Sequence, residues 1–153
     1  MIRALTLHKS YRLNERAVRR IASDVLGMIR KTRSADLEFI FLDDKAIRKF
    51  NKRYTSRDRS TDVLSFRIDR REFGRRKFLG EILVSLDAAR KNSKVYGTGF
   101  AEETVLYMIH GILHLFGYDD GNARDRGEMS KEQYRILDKL CSCRNLSGVL
   151  TPR

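Results

Sequence analysis

The sequence predicts a single α+β or mixed α/β domain, in which a sheet of about four strands packs against helices. Its 153 residues, 41% of them hydrophobic, suit one domain with one core. Short apolar runs typical of strands are mixed with segments of helical periodicity, without strict alternation. We therefore assign residues 1–144 to one domain and expect residues 145–153, which contain the only proline, to form a loose tail.

The first half of the chain predicts two strands and two helices. Residues 1–7 alternate between apolar and other side chains, as in a strand. Asn14 is a candidate N-cap for a helix that reaches about residue 31, because apolar residues recur along one face of it. Residues 37–42 form an apolar run typical of a strand buried on both faces, and Asp43 can cap the helix that follows.

The middle of the chain predicts a loop and two antiparallel strands. Residues 51–61 are polar and dense in charge, which indicates a loop. Residues 62–66 and 78–86 are the third and fourth strands. The basic segment 67–77 between them contains a glycine and predicts a mobile hairpin.

Three helices are predicted after the fourth strand. Ser85 can cap a short helix over residues 87–95. Residues 101–115 are apolar nearly all round, which predicts a helix buried at the centre of the domain. A last helix is predicted over about residues 127–141, where apolar residues again mark one face.

The charge of the chain indicates a polyanionic partner. A net charge of +12 attracts nucleic acid or, less readily, an anionic membrane surface; the alternative is a solvated basic surface. No run approaches a membrane span, and no signal-peptide core is evident, so we expect a soluble, cytoplasmic protein. The candidate contacts to a phosphate backbone are the arginines of the two basic segments: Arg53, Arg57, Arg59, Arg70, Arg71, Arg75 and Arg76.

The stretch HGILHLFGYDD has the side chains of a metal site. His110 and His114 lie four residues apart, so both imidazoles share one face of a helix. Gly117 can end that helix in the left-handed conformation, after which the chain can present Asp119 or Asp120 as a third ligand. Two histidines, one carboxylate and an open position form a catalytic zinc arrangement. The alternative is buried core histidines followed by aspartates that serve only a turn.

The spacing of this stretch is also that of the metzincin zinc motif, but one residue argues against a metalloprotease. The residue after the first histidine is the general-base glutamate in such proteases, and here it is Gly111. Glycine costs a helix about 1 kcal/mol relative to alanine, so this position needs a small residue. A small residue would be required here either because the metal or substrate lies close by or because the helix packs tightly against its neighbours.

The same stretch resembles the YbeY family of bacterial endoribonucleases, whose motif is H-G-x-L-H-L-x-G-Y-D-H. A second block has Asn51, Tyr54 and Asp58 ahead of TDVLSF at 61–66. It is similar to the family pattern N-x-x-Y-R-x-x-D-x-P-T-D-V-L-S-F. A third block, GEI at 80–82, resembles the family's G-D-I.

The resemblance implies a zincin-like fold and a zinc-dependent endoribonuclease with one Zn²⁺ per chain. It implies a role in ribosomal RNA maturation, notably at the 3′ end of small-subunit RNA, and in ribosome quality control, with RNA or the small subunit as partner. Carried over by position, His110, His114 and Asp120 are the metal ligands. Asp120 stands where the family has a third histidine, Thr55 where it has an arginine, and Ser60 where it has a proline.

Hydrolysis of RNA at such a site needs a base, and position 111 offers none. Asp119, Glu81 and the 2′-hydroxyl of the RNA are the candidates, and the sequence does not choose among them. The arginines of the two basic segments are expected to bind the RNA backbone. The alternative function is a noncatalytic zinc-containing RNA- or ribosome-binding protein, which four protein ligands and no open position would favour.

Overall fold

Five helices and six strands lie in the part of the chain that the structure describes, residues 1–29 and 35–153. This computed structural model describes the backbone, but not the side chains, of residues 70–72 and 75–78. No helix in these ranges is both long and apolar enough to cross a membrane. In chain order the elements are β1 (Ile2–Thr6), β2 (Tyr11–Leu13), α1 (Glu15–Met28), β3 (Ala35–Leu42), α2 (Asp44–Thr55), β4 (Val63–Glu72), β5 (Arg75–Ser85), α3 (Leu86–Tyr96), α4 (Phe100–Leu115), α5 (Ala123–Cys143) and β6 (Leu150–Pro152).

The main sheet has four strands in the order β1-β3-β5-β4, which confirms the predicted mixed fold. Strands β1, β3 and β5 are parallel, and β4 is antiparallel to β5 at one edge of the sheet. Parallel neighbours need crossover connections, which α1 supplies between β1 and β3 and α2 begins between β3 and β5. The predicted antiparallel pairing of the third and fourth strands is also confirmed.

Different helices cover the two faces of the sheet. Along β5, Ile82 faces α4, whereas Leu83 packs with Ile47 of α2. On β4, Ser65 hydrogen-bonds to α4, whereas Phe66 packs on the α2 side. Side chains of a strand alternate between its two faces, so α4 and α2 lie on opposite sides of the sheet.

Helix α4 lies at the centre of the larger core, as predicted for residues 101–115. Eleven of its 16 residues are buried. Gly111 lies against the sheet, where an added Cβ would be 2.5 Å from Ile82 Cγ2 and 3.1 Å from Ser65 Oγ. Ser65 Oγ also donates a 3.0 Å hydrogen bond to the Gly111 carbonyl oxygen. Tight helix packing is therefore sufficient to explain the glycine.

The predicted helix caps are confirmed. Asn14, Asp43 and Ser85 each accept a hydrogen bond from the backbone N–H three residues later, at the starts of α1, α2 and α3. Helix α5 has Asn122 as its N-cap and so begins earlier than the predicted start near residue 127. Short polar side chains before a helix thus decide where four of the five described helices begin.

Two segments differ from prediction at their boundaries. Helix α2 continues to Thr55, so the first half of the predicted loop 51–61 is helical. Most of segment 67–77 is strand, because β4 and β5 extend toward a tight turn. That turn lies at Phe73 and Gly74, where φ is +50° and +75°.

Residues 145–153 are not a loose tail, which corrects the prediction. Leu146, Val149 and Leu150 are buried in the main core. Strand β6 pairs antiparallel with β2, with Leu150 opposite Leu13, and neither of these short strands is predicted. The prediction rested on the position of the segment and its proline, but three apolar side chains within five residues give the segment a face to bury.

Candidate metal centre

Helix α4 brings His110 and His114 together on one face. Both residues are half-buried, and their ring centroids lie 4.6 Å apart with the planes at 79°. Residues four apart on a helix are neighbours, so the local spacing is enough to produce this pair.

The turn after α4 fixes the orientation of the His114 ring. Gly117 has a φ of +92°. Its N–H donates a 3.2 Å hydrogen bond to the His114 carbonyl oxygen, and the Tyr118 N–H donates a 3.1 Å bond to that of Leu113. These two bonds form a Schellman motif, which ends the helix at Phe116 as predicted for a glycine here. The same turn places the Tyr118 carbonyl oxygen 3.1 Å from His114 Nδ1.

Gln133 of α5 fixes the orientation of the other ring, since its Oε1 lies 2.8 Å from His110 Nδ1. Carbonyl oxygens only accept hydrogen bonds, so each Nδ1 carries the hydrogen and each Nε2 of the neutral rings carries a lone pair. The Nε2 atoms of His110 and His114 lie 3.0 Å apart. Two lone pairs therefore face each other, an arrangement that a cation bound by both nitrogens would stabilise.

Asp120 completes a group of three side chains that could hold a metal ion. Its Oδ2 lies 3.6 Å from His114 Nε2, and the ligand atoms of the three residues all lie within 4.8 Å of one another. Zinc bonds of about 2.1 Å place tetrahedral ligands about 3.4 Å apart, so this donor set suits one zinc ion. Among the side chains that the structure describes, no fourth histidine, cysteine or acidic residue joins the group. A metal held by these three side chains alone would keep a position for water or substrate.

The surroundings of His114 favour its neutral, metal-binding form. Burial lowers the pKa of His114, and the nearby His110 lowers it further, while Asp120 and the Tyr118 carbonyl oppose the shift. A proton and a metal ion compete for the same nitrogen, so a lowered pKa extends metal binding to lower pH.

Of the two carboxylates predicted as bases, only Asp119 lies beside the cluster. Asp119 is exposed in the turn after α4, where its Oδ1 accepts a 2.7 Å hydrogen bond from the Asp120 N–H, and its charge acts on His114. Glu81 precedes Ile82 on β5. Because Ile82 faces α4, the alternation of the strand directs Glu81 to the opposite face. The structure therefore does not bring Glu81 to the histidines.

The predicted RNA contacts fall in two places. Arg53 is exposed on the last turn of α2, and Arg57 and Arg59 are exposed on the loop that follows. The remaining four arginines belong to the β4–β5 hairpin, and their side chains lie outside the described residues: Arg70, Arg71, Arg75 and Arg76.

The second sequence block forms a hydrogen-bonded loop. Asn51 Nδ2 donates a 2.9 Å bond to the Arg59 carbonyl oxygen, and Thr55 Oγ1 lies 2.5 Å from Asn51 Oδ1. Asp58 accepts a 2.9 Å bond from Arg48 Nε, which holds the pKa of that carboxyl below its usual value. Thr55 thus helps to anchor the residue that closes the loop.

Sequence reasoning missed two residues that support the cluster. Arg67 Nη1 donates a 2.6 Å bond to the Leu115 carbonyl oxygen, at the end of α4 where a cation is favourable. Gln133 lies between Met129 and Ile136 on the inward face of α5. A polar residue in an apolar stripe is a signal that could have identified Gln133. Arg67 offers no such signal, because its partner is 48 residues away.

The chain matches a known protein family over most of its length. A sequence model of the family described as Endoribonuclease YbeY matches residues 5–141. The chain belongs to the endoribonuclease YbeY family. That membership agrees with the motif around the two histidines and with the length of the chain.

Individual YbeY proteins are similar over about three quarters of their length. The chain is 36% identical over 110 residues to the Endoribonuclease YbeY of Elusimicrobium minutum, covering 71% of this chain and 77% of that protein. For Staphylococcus epidermidis the identity is 37% over 118 residues, with coverages of 72% and 76%. For Aquifex aeolicus it is 35% over 118 residues, with coverages of 77% and 73%.

The fold is also similar to a solved structure. The solution structure of TM1509 from Thermotoga maritima superposes with a TM-score of 0.64 at 25% sequence identity. The match covers 93% of this YbeY-family chain and 90% of that protein, so the two share nearly the whole architecture.

Proposed function

We propose that this YbeY-family endoribonuclease is a zinc-dependent enzyme of ribosomal RNA maturation. It acts notably at the 3′ end of small-subunit RNA and in ribosome quality control, in the cytoplasm. His110, His114 and Asp120 hold one Zn²⁺ per chain, and the small ribosomal subunit or its RNA is the partner. The observation that carries the proposal is the pair of Nε2 lone pairs 3.0 Å apart beside the Asp120 carboxylate.

The chemistry of the donor set supports zinc. Imidazole nitrogen and carboxylate oxygen are both zinc ligands, and three of them with an open position form the catalytic pattern. When bound, zinc supplies a water of lowered pKa and a positive charge that offsets the charge developing on the phosphate.

The residues around the cluster have separate tasks. Hydrogen bonds to Gln133 and to the Tyr118 carbonyl hold the two imidazoles in one orientation, so that both Nε2 atoms stay directed at the metal position. Asp119 is our candidate carboxylate for accepting a proton, and its Oδ2 is the candidate atom because its Oδ1 already accepts the Asp120 N–H. The 2′-hydroxyl of the RNA is the other candidate for the proton transfer.

Electrostatic attraction supports RNA as the bound polyanion. The net charge is +12, and Arg57 and Arg59 are exposed on the loop that leads into β4. The hairpin of β4 and β5 carries four more arginines in sequence, at 70, 71, 75 and 76. Arginine binds phosphate without regard to sequence, so these residues position the RNA and do not select the cleavage site.

A noncatalytic zinc-containing RNA- or ribosome-binding protein is the alternative function. A closed site with four protein ligands would favour it, because structural zinc has no open position. The group in the described residues has three ligands, which favours catalysis.

The testing experiment is a cleavage assay on a small-subunit RNA precursor that carries an unprocessed 3′ end. Metal-free protein, zinc-loaded protein and a His114→Ala variant are compared, with an unrelated RNA of equal length as second substrate. His8→Ala is the matched control, because His8 is the histidine outside the cluster and bonds to Asp87. We expect zinc-dependent cleavage near the mature end that is lost in His114→Ala and kept in His8→Ala.

Binding measured in the same samples separates the two functions. His114→Ala should bind the RNA about as well as wild type while failing to cleave it. Replacing Arg70, Arg71, Arg75 and Arg76 together should weaken binding and flatten its salt dependence without removing zinc. Zinc-loaded protein that binds the precursor tightly yet cleaves neither RNA would establish the noncatalytic alternative.

A further inference from the structure

Strand β4 lies at the edge of the main sheet and has an open outer side. The strand order is β1-β3-β5-β4, and no described strand pairs with β4 on the side away from β5. The strand is ten residues long, which is long for an edge. An edge strand presents a row of backbone N–H and C=O groups that can pair with a further strand. The outer side of β4 is therefore a candidate interface.

The register of the β4–β5 hairpin shows which residues turn their backbone groups outward. The Ser85 N–H donates a 2.8 Å hydrogen bond to the Asp62 carbonyl oxygen, which extends the pairing of Val63 with Val84 by one residue. Hydrogen-bonded and non-hydrogen-bonded pairs alternate along antiparallel strands, so the even-numbered residues of β4 bond to β5. The backbone groups of the odd-numbered residues therefore point to the outer side.

The side chains in the middle of β4 are arranged symmetrically about Ile68. Arg67 and Asp69 flank it on the face toward α4, where Arg67 donates a 2.9 Å bond from Nε to Asp69 and a 2.6 Å bond from Nη1 to the Leu115 carbonyl oxygen. Ile68 lies on the other face, is 45% exposed and is part of neither hydrophobic cluster of the described residues. An apolar residue between two opposite charges suits a two-fold interface, in which each residue contacts its counterpart's neighbour.

We propose that two copies of this chain associate through β4, with the strands antiparallel and Ile68 on the two-fold axis. Arg67 of each copy then lies opposite Asp69 of the other, in hydrogen-bonded pairs on both sides of the axis. The two Ile68 residues form the central non-hydrogen-bonded pair, where side chains come closest. The result is one continuous sheet with four strands from each copy. This association goes beyond the proposed function and does not depend on what the metal centre cleaves.

The charges of β4 favour this register over its neighbours. Charged side chains on an edge strand ordinarily oppose pairing. Moving the axis by one residue would place Arg67 opposite Arg67 or Asp69 opposite Asp69, and like charges directly opposite each other destabilise a strand pair. With Ile68 on the axis, opposite charges meet instead. The charged side chains thus oppose slipped pairings and support this one.

The turn at the tip of the hairpin adds an apolar contact. Phe73 has a φ of +50°, and its side chain is fully exposed. In the proposed pairing, Phe73 lies as far from the axis on one side as Val63 of the second copy does on the other, so the two residues come level. Association would then give an apolar neighbour to Ile68 and Phe73, the large hydrophobic side chains that the described part of the hairpin exposes.

A strand from a different protein and an RNA are the other candidate occupants of this edge. RNA has no row of N–H and C=O groups at the spacing of a strand, so it does not continue the sheet. A foreign strand would need an acidic residue opposite Arg67 and a basic residue opposite Asp69. Strand β4 itself supplies both at the required spacing, which favours a second copy.

The proposed symmetry fixes where the two metal centres lie. Arg67 and the Asp69 that it meets are both on the α4 side, so the two-fold axis runs perpendicular to the sheet. Both α4 helices therefore lie on the same face of the continuous sheet, and the two candidate metal centres lie on one side of the dimer.

The first test measures the mass of wild-type protein by analytical ultracentrifugation, before and after nuclease treatment, between about 1 μM and about 1 mM. We expect the average mass to rise toward that of two chains as the concentration increases, with no effect of the nuclease. Protein that stays monomeric throughout would overturn the inference. So would a dimer that dissociates when nuclease removes RNA, since RNA would then bridge the copies.

Oppositely charged variants test whether Ile68 lies on the axis. Ile68→Lys and Ile68→Glu each place like charges opposite one another and should weaken self-association. An equal mixture should associate at least about 10-fold more tightly than either variant alone, because an ammonium group then meets a carboxylate. Leu7→Lys and Leu7→Glu are the controls, because Leu7 is 62% exposed after β1 at the other edge of the sheet. Both should behave like wild type, alone and mixed.

Circular dichroism establishes that the Ile68 variants fold. Folded variants that dimerise like wild type would show that another surface associates and would overturn the inference. An equal mixture that associates no better than its components would also overturn it.

Hydrogen exchange in wild type tests the same interface without a variant. The amides of Ser65 and Asp69 point to the outer side of β4, whereas those of Leu64 and Ile68 bond to β5. We expect exchange at Ser65 and Asp69 to slow as the concentration rises, while Leu64 and Ile68 are protected at every concentration. Exchange at Ser65 and Asp69 that is equally fast in dilute and concentrated protein would contradict strand pairing through β4.

Discussion

The Nε2 atoms of His110 and His114 lie 3.0 Å apart, and the hydrogen bonds on the far side of each ring leave both with lone pairs directed at each other. Folding of α4 creates this contact, since the rings separate in an unfolded chain. A metal ion that binds the folded form alone therefore stabilises it, by about 4 kcal/mol when present at 1,000 times its dissociation constant.

The first prediction concerns the third ligand. Asp120→Ala should sharply reduce the zinc content of purified protein, because a carboxylate whose Oδ2 lies 3.6 Å from His114 Nε2 is lost. Asp119→Ala is the matched control, since it removes the adjacent carboxylate and should leave zinc content near one per chain. Elemental analysis of both variants measures this, and the reverse pattern would reassign the ligand to Asp119.

The second prediction concerns Gln133, which positions His110. Gln133→Leu removes the acceptor of the Nδ1 hydrogen bond and should weaken zinc binding about 10- to 100-fold, measured by competition with a chelator. Gln133→Glu supplies an acceptor again and should restore binding. Tyr134→Leu, at the neighbouring exposed position, should have no effect. Unchanged zinc affinity in Gln133→Leu would show that helix packing alone orients the ring.

The third prediction is that the protein does not cleave peptides. Gly111 stands where a metalloprotease of this ligand spacing has its base, and glycine cannot accept a proton. Zinc-loaded protein should leave casein intact under conditions in which it cleaves RNA. Casein hydrolysis that survives purification and disappears in His110→Ala would contradict this.

The fourth prediction concerns the packing of α4. Gly111→Ala should lower the free energy of unfolding by about 1–2 kcal/mol, because the new methyl group meets Ile82 Cγ2 at 2.5 Å in a filled core. Gly127→Ala is the control within a helix, since nothing lies within 4 Å of its added Cβ. That variant should gain up to about 1 kcal/mol from helix propensity. Denaturant unfolding measures both, and stabilisation in both would show that the sheet yields at Gly111.

The fifth prediction concerns acid stability. Burial raises the pKa of Asp87, but hydrogen bonds from the Asp44 N–H at 2.8 Å and from His8 at 3.0 Å outweigh it and leave the pKa below its ordinary value of 3.8. A carboxyl whose pKa is lower in the folded state than in the unfolded state stabilises the protein at pH values above its unfolded-state pKa. That stabilisation disappears as the pH falls through the folded-state pKa.

Asp87→Asn should therefore cost about 1 kcal/mol at neutral pH, since the side chain is partly exposed, and less in acid. The unfolding free energy of wild type should fall more steeply than that of the variant between about pH 5 and pH 3. Asp138→Asn, an exposed carboxylate on α5, is the control. Parallel pH curves for wild type and Asp87→Asn would contradict the prediction.

Features set by local sequence could be predicted. The shared face of His110 and His114 follows from a spacing of four, and the end of α4 follows from a glycine at 117. The caps Asn14 and Asp43 depend only on the next three residues. Such interactions are closed within one helical turn, so they need no knowledge of the tertiary fold.

Features set by distant pairing could not be predicted. The face on which Glu81 lies depends on the register of β5 against its neighbours, and a shift of one residue would reverse it. The partner of His110 on α5 depends on how two helices pack. The three apolar residues near the C-terminus show no period of their own, and their burial depends on contacts with distant parts of the core.

The pairing of β2 with β6 also has a consequence for synthesis of the protein. The two strands lie about 140 residues apart in sequence, and a ribosome adds about 5–20 residues per second. Strand β2 therefore waits roughly 7–28 seconds for its partner. During that interval Leu13 lacks the cross-strand neighbour that Leu150 later provides, so the edge of β2 that pairs with β6 stays unpaired. The two-stranded sheet is completed only once β6 has emerged from the ribosome.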